Sequence, residues 1–195
     1  MYLYLVRHGQ SVGNVRQLFY GWSDHPLTDV GRADARAAGK KLKAAAFTRC
    51  CASDLSRAME TTRLCLGDRD IPIEPCPGLR EQDMGEFEDL NWDAAEEKYG
   101  QLLHDFVSDW FHTTPPGGES PEHMAERVGR CVDAIIRQGA DTLVVAHNGS
   151  LSLILKHLGL AGEDELLRPG WFFQHGAYTA IRMDENGPVL LGFNL

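Results

Sequence analysis

Four places along this chain carry residue types able to work on an anion. The first is Arg7-His8-Gly9; the others are Arg57, Glu81 and His147. An arginine presents a rigid fork of N–H donors that matches phosphate oxygens. A histidine beside it can be a nucleophile, a base or an anion-binding donor, and a glycine lets the backbone approach a ligand closely. Taken singly, each has a plainer reading. His8 fits a hydrogen-bonded loop histidine beside a solvent-facing Arg7, Arg57 a surface arginine, and Glu81 a solvated acid. His147 follows a strongly apolar stretch and is as readily a buried, hydrogen-bonded histidine as a ligand-facing one.

The elements around these residues give them a joint meaning. Residues 2–7 read as an apolar strand that ends in the polar turn His8-Gly9-Gln10-Ser11. A mostly polar loop follows through Gly21 and Asp24. Thr28 is a fitting N-cap for an Ala-, Lys- and Arg-rich helix to about Ala45, weakened at Gly39. Residues 47–52 form a second candidate strand. Leu55, Ala58, Met59, Thr62 and Leu66 then recur at helical spacing with Ser53 or Asp54 as cap. Arg57 therefore opens a helix and can aim back at the strand ends. A short extended segment at 71–74 precedes Pro75 and Pro77.

Ser120-Pro121-Glu122 starts another helix: cap, proline at the first helical position, acid in the first turn. Residues 142–146 form an apolar strand ending at His147-Asn148-Gly149, and a helix is expected from about Ser150 to Leu158. Residues 177–183 and 189–193 flank Asp184-Glu185-Asn186-Gly187, which predicts a hairpin. Strands alternating with capped helices predict an α/β three-layer sandwich with a mostly parallel mixed sheet. Ligands in such folds bind beyond the carboxyl ends of the strands, where both His8 and His147 fall. Residues 81–118 differ, being rich in acids and aromatics. About 82–118 is expected to form a lid-like helical insertion over the site, within one domain covering 1–195.

Composition narrows the function classes. The 195 residues hold 19 Lys and Arg against 28 Asp and Glu, a formal net charge of -9. That balance argues against a nucleic acid or acidic membrane as partner, yet is compatible with a local basic pocket for a small anion. No stretch approaches the ~20 apolar residues of a membrane span. The cysteines, at 50, 51, 65, 76 and 131, are odd in number and include an adjacent pair, unlike a secreted disulfide scaffold. Cys50 and Cys51 would point to opposite faces of a strand, poor geometry for a shared metal. A reduced, cytoplasmic protein with no metal and no cofactor is expected. A homodimer is left open, to be argued from an exposed apolar helix face.

The sequence resembles the histidine phosphatase superfamily, also called phosphoglycerate mutase-like. The resemblance rests on Leu5-Val6-Arg7-His8-Gly9-Gln10-Ser11 with Asn14, then Gly21-Trp22, Asp24-His25-Pro26-Leu27-Thr28 and Gly31. It continues through Ser53-Asp54-Leu55-Ser56-Arg57-Ala58-Met59-Glu60-Thr61, Leu79-Arg80-Glu81, Gly85-Glu86-Phe87-Glu88, Pro116-Gly117-Gly118-Glu119-Ser120 and Ala146-His147. The ordered set spans nearly the whole chain. It implies that His8 accepts the phosphoryl group, that Arg7, Arg57 and His147 grip its oxygens, and that Glu81 is the general acid. Asn14 would add a donor, and the backbone around Tyr20 and Gly21 would shape the entrance. Asn148 stands inside the usual His-Gly pair and is expected at the phosphate pocket as a donor or a tight turn. The arginine that the family carries shortly before Gly21-Trp22 is displaced here, with Arg16, Gln17 and Leu18 in its neighbourhood.

Within that resemblance, Gly21-Trp22 and Asp24 are similar to the mutases. The insertion, however, has Lys98 as its sole Lys or Arg, a poor match for a bisphosphate intermediate. Phosphomonoester hydrolysis on a small phosphorylated metabolite is the favoured expectation, with the compact length resembling α-ribazole phosphatase and the broad-specificity phosphomonoesterases. Mutase-type transfer is the alternative, and a ligand-binding or regulatory protein on the same fold a third. Several aromatics (Phe19, Tyr20, Trp22, Trp92, Trp110, Trp171 and Phe172) are candidates either for lobe core or for a pocket around a ring-bearing leaving group.

Overall fold

The computed structural model describes residues 1–168 and 170–195. Its strands are β1 (Tyr2–Arg7), β2 (Arg49–Ala52), β3 (Ile73–Pro75), β4 (Thr142–Ala146), β5 (Thr179–Asp184) and β6 (Gly187–Gly192). They form one sheet in the order β3-β2-β4-β1-β5-β6. The β1, β2, β3 and β4 pairings are parallel, while β5 runs antiparallel to β1 and forms a hairpin with β6. Apolar residues on both faces are what a sheet covered on both sides requires.

The helices are α1 (Val12–Val15), α2 (Asp29–Lys41), α3 (Ser56–Leu66), α4 (Trp92–Tyr99), α5 (Gln101–Ser108), α6 (Pro121–Arg137), α7 (Asn148–His157) and α8 (Glu163–Leu166). One layer packs Ala35, Ala38, Ala58 and Cys65 of α2 and α3 on Val6, Cys50, Ala52, Leu143 and Val145. The opposite layer packs Met124, Val128, Leu151 and Ile154 of α6 and α7 on Leu3, Leu5, Cys51 and Val144. The adjacent cysteines thus split between the two faces, as strand alternation dictates. Burial pushes the Cys50 thiol up to about 12, so it behaves as a small apolar side chain.

Local signals explain most of the boundaries. The Thr28 side chain accepts from the Gly31 N–H, and Ser120 from the His123 N–H. Two helix starts differ from expectation. Helix α3 has Leu55 at its N-cap with no side-chain bond; Asp54 is taken by Arg80 through a two-pronged ion pair, and Ser53 by His147. Helix α7 begins at Asn148, two residues early, because His147 is the N-cap residue and the Ser150 hydroxyl accepts from its backbone N–H. The Val12–Val15 turn forms inside the expected loop, capped by Ser11. Helices α4 and α5 carry their own small core of Phe87, Ala95, Leu103 and Phe106. Among the described residues, no helix is long and apolar enough to cross a membrane.

Candidate active site

His8 lies one residue past β1, still tied to the sheet: its N–H donates to the Ala146 carbonyl at 2.9 Å. The ring is buried, and its Nδ1 lies 2.8 Å from the carbonyl of Gly9. A carbonyl can only accept, so Nδ1 carries the proton and the lone pair sits on Nε2. Gly9 serves a different purpose from a ligand approach. A Cβ there would sit 2.1 Å from the Gly31 carbonyl oxygen, so the glycine lets the loop close on the first turn of α2. The Gly9 N–H donates to Thr61 Oγ1 at 3.0 Å, locking the loop to α3 as well.

Three groups converge on His8 from separate elements. Arg7, at the end of β1, donates from Nη1 to the Phe173 carbonyl at 3.0 Å, while its buried Nε–H has no partner. Arg57, in the first turn of α3, is fully buried and is not the surface arginine its position alone allows. Its Nη1 donates to the Ser23 carbonyl at 2.9 Å, its Nη2 to the Gly21 carbonyl at 2.6 Å, and its Nε to His147 Nδ1 at 3.3 Å. Its carbon lies 4.8 Å from the Tyr20 ring centroid, a cation–π contact. His147, also fully buried, has its ring centroid 5.1 Å from that of His8. Because Nδ1 accepts from Arg57, Nε2 carries the proton and donates to Ser53 Oγ at 2.8 Å. A hydroxyl can also donate, so Ser53 fits either tautomer of this ring.

Glu81 faces this group from the segment after β3. One carboxylate oxygen accepts from the Gly149 N–H at the start of α7 at 2.9 Å. Any larger residue at 149 would strike it, since a Cβ there would lie 2.3 Å from Glu81 Oε1. The Glu81 carbonyl is held by Trp22 Nε1 at 2.9 Å and Arg127 Nη2 at 2.7 Å. Arg127 also grips the carbonyls of Gly78 and Arg80 and forms a two-pronged pair with Glu119. On the entrance side, Glu88 accepts from the N–H groups of Gly21, Trp22, Ser23 and Met84 at 2.8 to 3.1 Å. Gly21 has no room for a side chain: a Cβ would lie 1.5 Å from the Gln82 carbonyl oxygen.

Together these residues wall a cavity of about 200 Å³ lined by Arg7, His8, Asn14, Tyr20, Arg57, Glu81 and His147, with Leu18, Phe19 and Met84 at its edge. Burial, followed by the charges of Arg57 and Arg7, holds the His8 imidazole well below its ordinary pKa. Burial, Arg57 and His8 do the same to His147. Both rings are therefore neutral near pH 7. Two guanidiniums beside two neutral rings make a cationic, desolvated pocket in an acidic protein, an environment that favours an anion.

The expected residues thus fall into three groups. Arg7, His8, Arg57, Glu81, His147, Asn14 and Tyr20 line one cavity. Asn14 uses Oδ1 to accept from Ser11 N–H at 2.9 Å, which leaves its Nδ2 donors for the pocket. Gly21 contributes its carbonyl to Arg57 and stands behind the wall. Asn148 lines a neighbouring cavity, and its Oδ1 accepts from the Phe173 N–H at 2.9 Å. It ties the 171–175 loop to the start of α7.

Sequence reasoning missed His175, whose Nδ1 lies 2.5 Å from the His8 carbonyl and whose ring centroid is 5.7 Å from that of His8. No periodicity or cap marks that loop. Ser53 was read only as a helix cap, Glu88 stood inside a recognised motif without a role, and Arg127 stood on an ordinary amphipathic helix. Among the described residues, no cluster of three or more His, Cys, Asp and Glu side chains is arranged to hold a metal ion.

Comparison with known proteins matches residues 3–195 to the family model described as histidine phosphatase superfamily (branch 1). A 2,3-bisphosphoglycerate-dependent phosphoglycerate mutase of Parvibaculum lavamentivorans is 36% identical over 197 residues, covering 96% of this chain and 93% of that protein. A protein of the same name from a Methylobacterium species is 40% identical over 174 residues, covering 83% and 82%. Among solved structures, the α-ribazole phosphatase of Shigella flexneri superposes with a TM-score of 0.90 at 29% identity, covering 100% of this chain and 96% of that one.

Proposed function

Because this chain belongs to the histidine phosphatase superfamily (branch 1), we infer that it hydrolyses phosphomonoesters of a small metabolite through a phosphohistidine on His8. The observation that carries this reading is the free Nε2 of a neutral, buried His8 facing a cavity that two arginines and His147 also line. Nε2 attacks phosphorus while Arg7, Arg57, Asn14 and His147 hold the equatorial oxygens. Positive groups aimed where oxygen charge develops are the main catalytic resource in phosphoryl transfer. The partnerless Arg7 Nε and the free Asn14 amide have donors to spare for that purpose.

Bond making and breaking balance as follows. The P–O bond to the alcohol breaks as the P–Nε2 bond forms, and protonated Glu81 gives its proton to the departing oxygen. The Gly9 carbonyl on Nδ1–H supports the positive charge that grows on the ring. Water then attacks the phosphohistidine, Glu81 takes its proton, and inorganic phosphate leaves with His8 restored. For His147 to donate to phosphate from Nδ1, the Ser53 hydroxyl must reverse and donate to Nε2, and the Arg57 Nε–H must turn from Nδ1 to the phosphate. The 82–118 lobe covers the site in this scheme.

The named relatives pull in two directions, mutase and phosphatase. Charge favours the phosphatase. A mutase must retain a second phosphate while it reorients an intermediate, and the lobe's Lys98 is already paired with Glu86 at 3.0 Å. The test is phosphate release from a panel of monoesters at pH 5 to 8, with phosphoglycerates included and His8→Ala as control. Release that disappears in the control supports the reading. Isomerisation of phosphoglycerate without net release would move the assignment to the mutases.

A further inference from the structure

A second cavity of about 220 Å³ opens beside the first, and the two share Glu81 and Met84. Phe106, Val107 and Trp110 of the lobe supply its other large walls. Its polar groups are largely engaged elsewhere. The Gln82 amide donates to the Glu119 carbonyl at 2.8 Å, the Asn148 oxygen accepts from Phe173, and the Gly149 N–H is bound to Glu81. No Lys or Arg lines it among the described residues. What faces this space is therefore a largely apolar wall, one carboxyl group and the uncharged amide of Asn148.

The position of Glu81 between the two cavities fixes what each can hold. In-line attack by His8 Nε2 requires the leaving oxygen on the far side of phosphorus, and the acid must reach that oxygen. Whatever is attached to the oxygen then extends past Glu81, into the second cavity. Resting on the phosphatase reading above, we propose that this cavity is the leaving-group subsite and that it selects phosphomonoesters of uncharged, apolar alcohols of about one ring in size. An apolar cavity of ~150 Å³ is enough to take up benzene, so the space fits such a group. A leaving group with a carboxylate or a second phosphate would enter a wall with no cation to meet it, beside Glu81 itself, and lose its hydration uncompensated. Val107, at 48% exposure, marks the mouth.

The experiment compares kcat/KM for benzyl phosphate with that for glycerol 3-phosphate and 3-phosphoglycerate, using the full chain. Benzyl alcohol and glycerol are leaving groups of similar acidity, so the ratio reports binding of the leaving group in place of its chemistry. Benzyl phosphate is expected to lead by at least tenfold, and Val107→Asp to reduce that ratio at least tenfold. The ratio in the unaltered chain needs no variant to fold, and Val107 is exposed enough to tolerate the change. Glycerol 3-phosphate or 3-phosphoglycerate turned over as well as benzyl phosphate would overturn the subsite and leave the phosphatase reading standing. A benzyl preference that Val107→Asp leaves intact would place recognition elsewhere and also overturn it. Absence of phosphate release from every ester would sink the phosphatase reading, and the subsite with it.

Discussion

The sheet-end cradle and the 82–118 lobe solve different problems with different interactions. In the cradle, Arg57 is wholly buried and its donors meet backbone carbonyls from the 21–23 loop and a histidine from β4's end. Leaving one of these buried, charged donors without its acceptor costs ~1–3 kcal/mol or more. The side-chain polar contacts of α4 and α5 lie in solvent. Lys98 and Glu86 have side chains 59% and 55% exposed, and His104 pairs with Glu96 in a similar setting. Exposed pairs of this kind contribute only ~0–1 kcal/mol. The lobe is held by its small apolar core, one face of which also walls the second cavity. The proposed phosphoryl chemistry thus falls on groups locked across the sheet, while the proposed leaving-group subsite draws on a piece whose surface can vary without disturbing them.

The sharpest way to break this contrast is at Glu81, where the two regions meet. Glu81→Gln keeps the shape and removes the proton. It is expected to lower kcat ~10²–10⁴-fold on alkyl phosphates. On p-nitrophenyl phosphate, whose leaving group needs no proton, the loss should be far smaller. Equal losses on both esters would mean that Glu81 only shapes the pocket.

Acid stability separates the regions next. His8, His147 and His175 all have pKa values lowered by burial, with Arg7 or Arg57 adding to it. The unfolded chain takes up these protons near the ordinary value of 6.5, while the folded chain does so only at lower pH. Stability is therefore present above about pH 6.5 and is lost as pH falls from there toward the folded values, by up to ~1.4 kcal/mol per pH unit for each histidine. Exposed His112 in the lobe is shifted the other way by Asp109, so it does not contribute to that loss. The melting temperature should drop between pH 7 and 5, and His147→Gln should flatten the slope. An unchanged slope would place the sensitivity outside the cradle.

The smallest effect is predicted at Lys98→Ala, which cuts an exposed pair. Stability should change by less than ~1 kcal/mol, and kcat/KM for benzyl phosphate should stay within twofold. A large loss of activity toward phosphoglycerates alone would instead reveal a cation that the substrate uses.

Much of the fold was legible because its signals are local. Apolar runs at 2–7 and 142–146, the Thr28 and Ser120 caps, and the turn at 184–187 each specify an element within a few residues. The candidate site was legible for a related reason: Arg7 ends β1, His8 and His147 each follow a strand end, and the carboxyl edge of such a sheet is where ligands bind. The errors follow the same logic in reverse. Ser53 and Asp54 looked like caps for α3, but His147 and Arg80 claim them, because a charged or buried partner outweighs a cap worth ~1 kcal/mol.

The sequence by itself determined the elements, the layer order implied by their alternation, and the residue types at the phosphate end. Tertiary structure decided which nitrogen of His8 is free, that Arg57 is buried, and that His175 holds the His8 carbonyl from 167 positions away. It also turned Asn148 toward the 171–175 loop and left Phe106, Val107 and Trp110 to wall the space beyond Glu81. Local propensity fixes backbone conformation, but a side chain's partner is set by whichever distant segment the folded chain brings within a few ångströms of it.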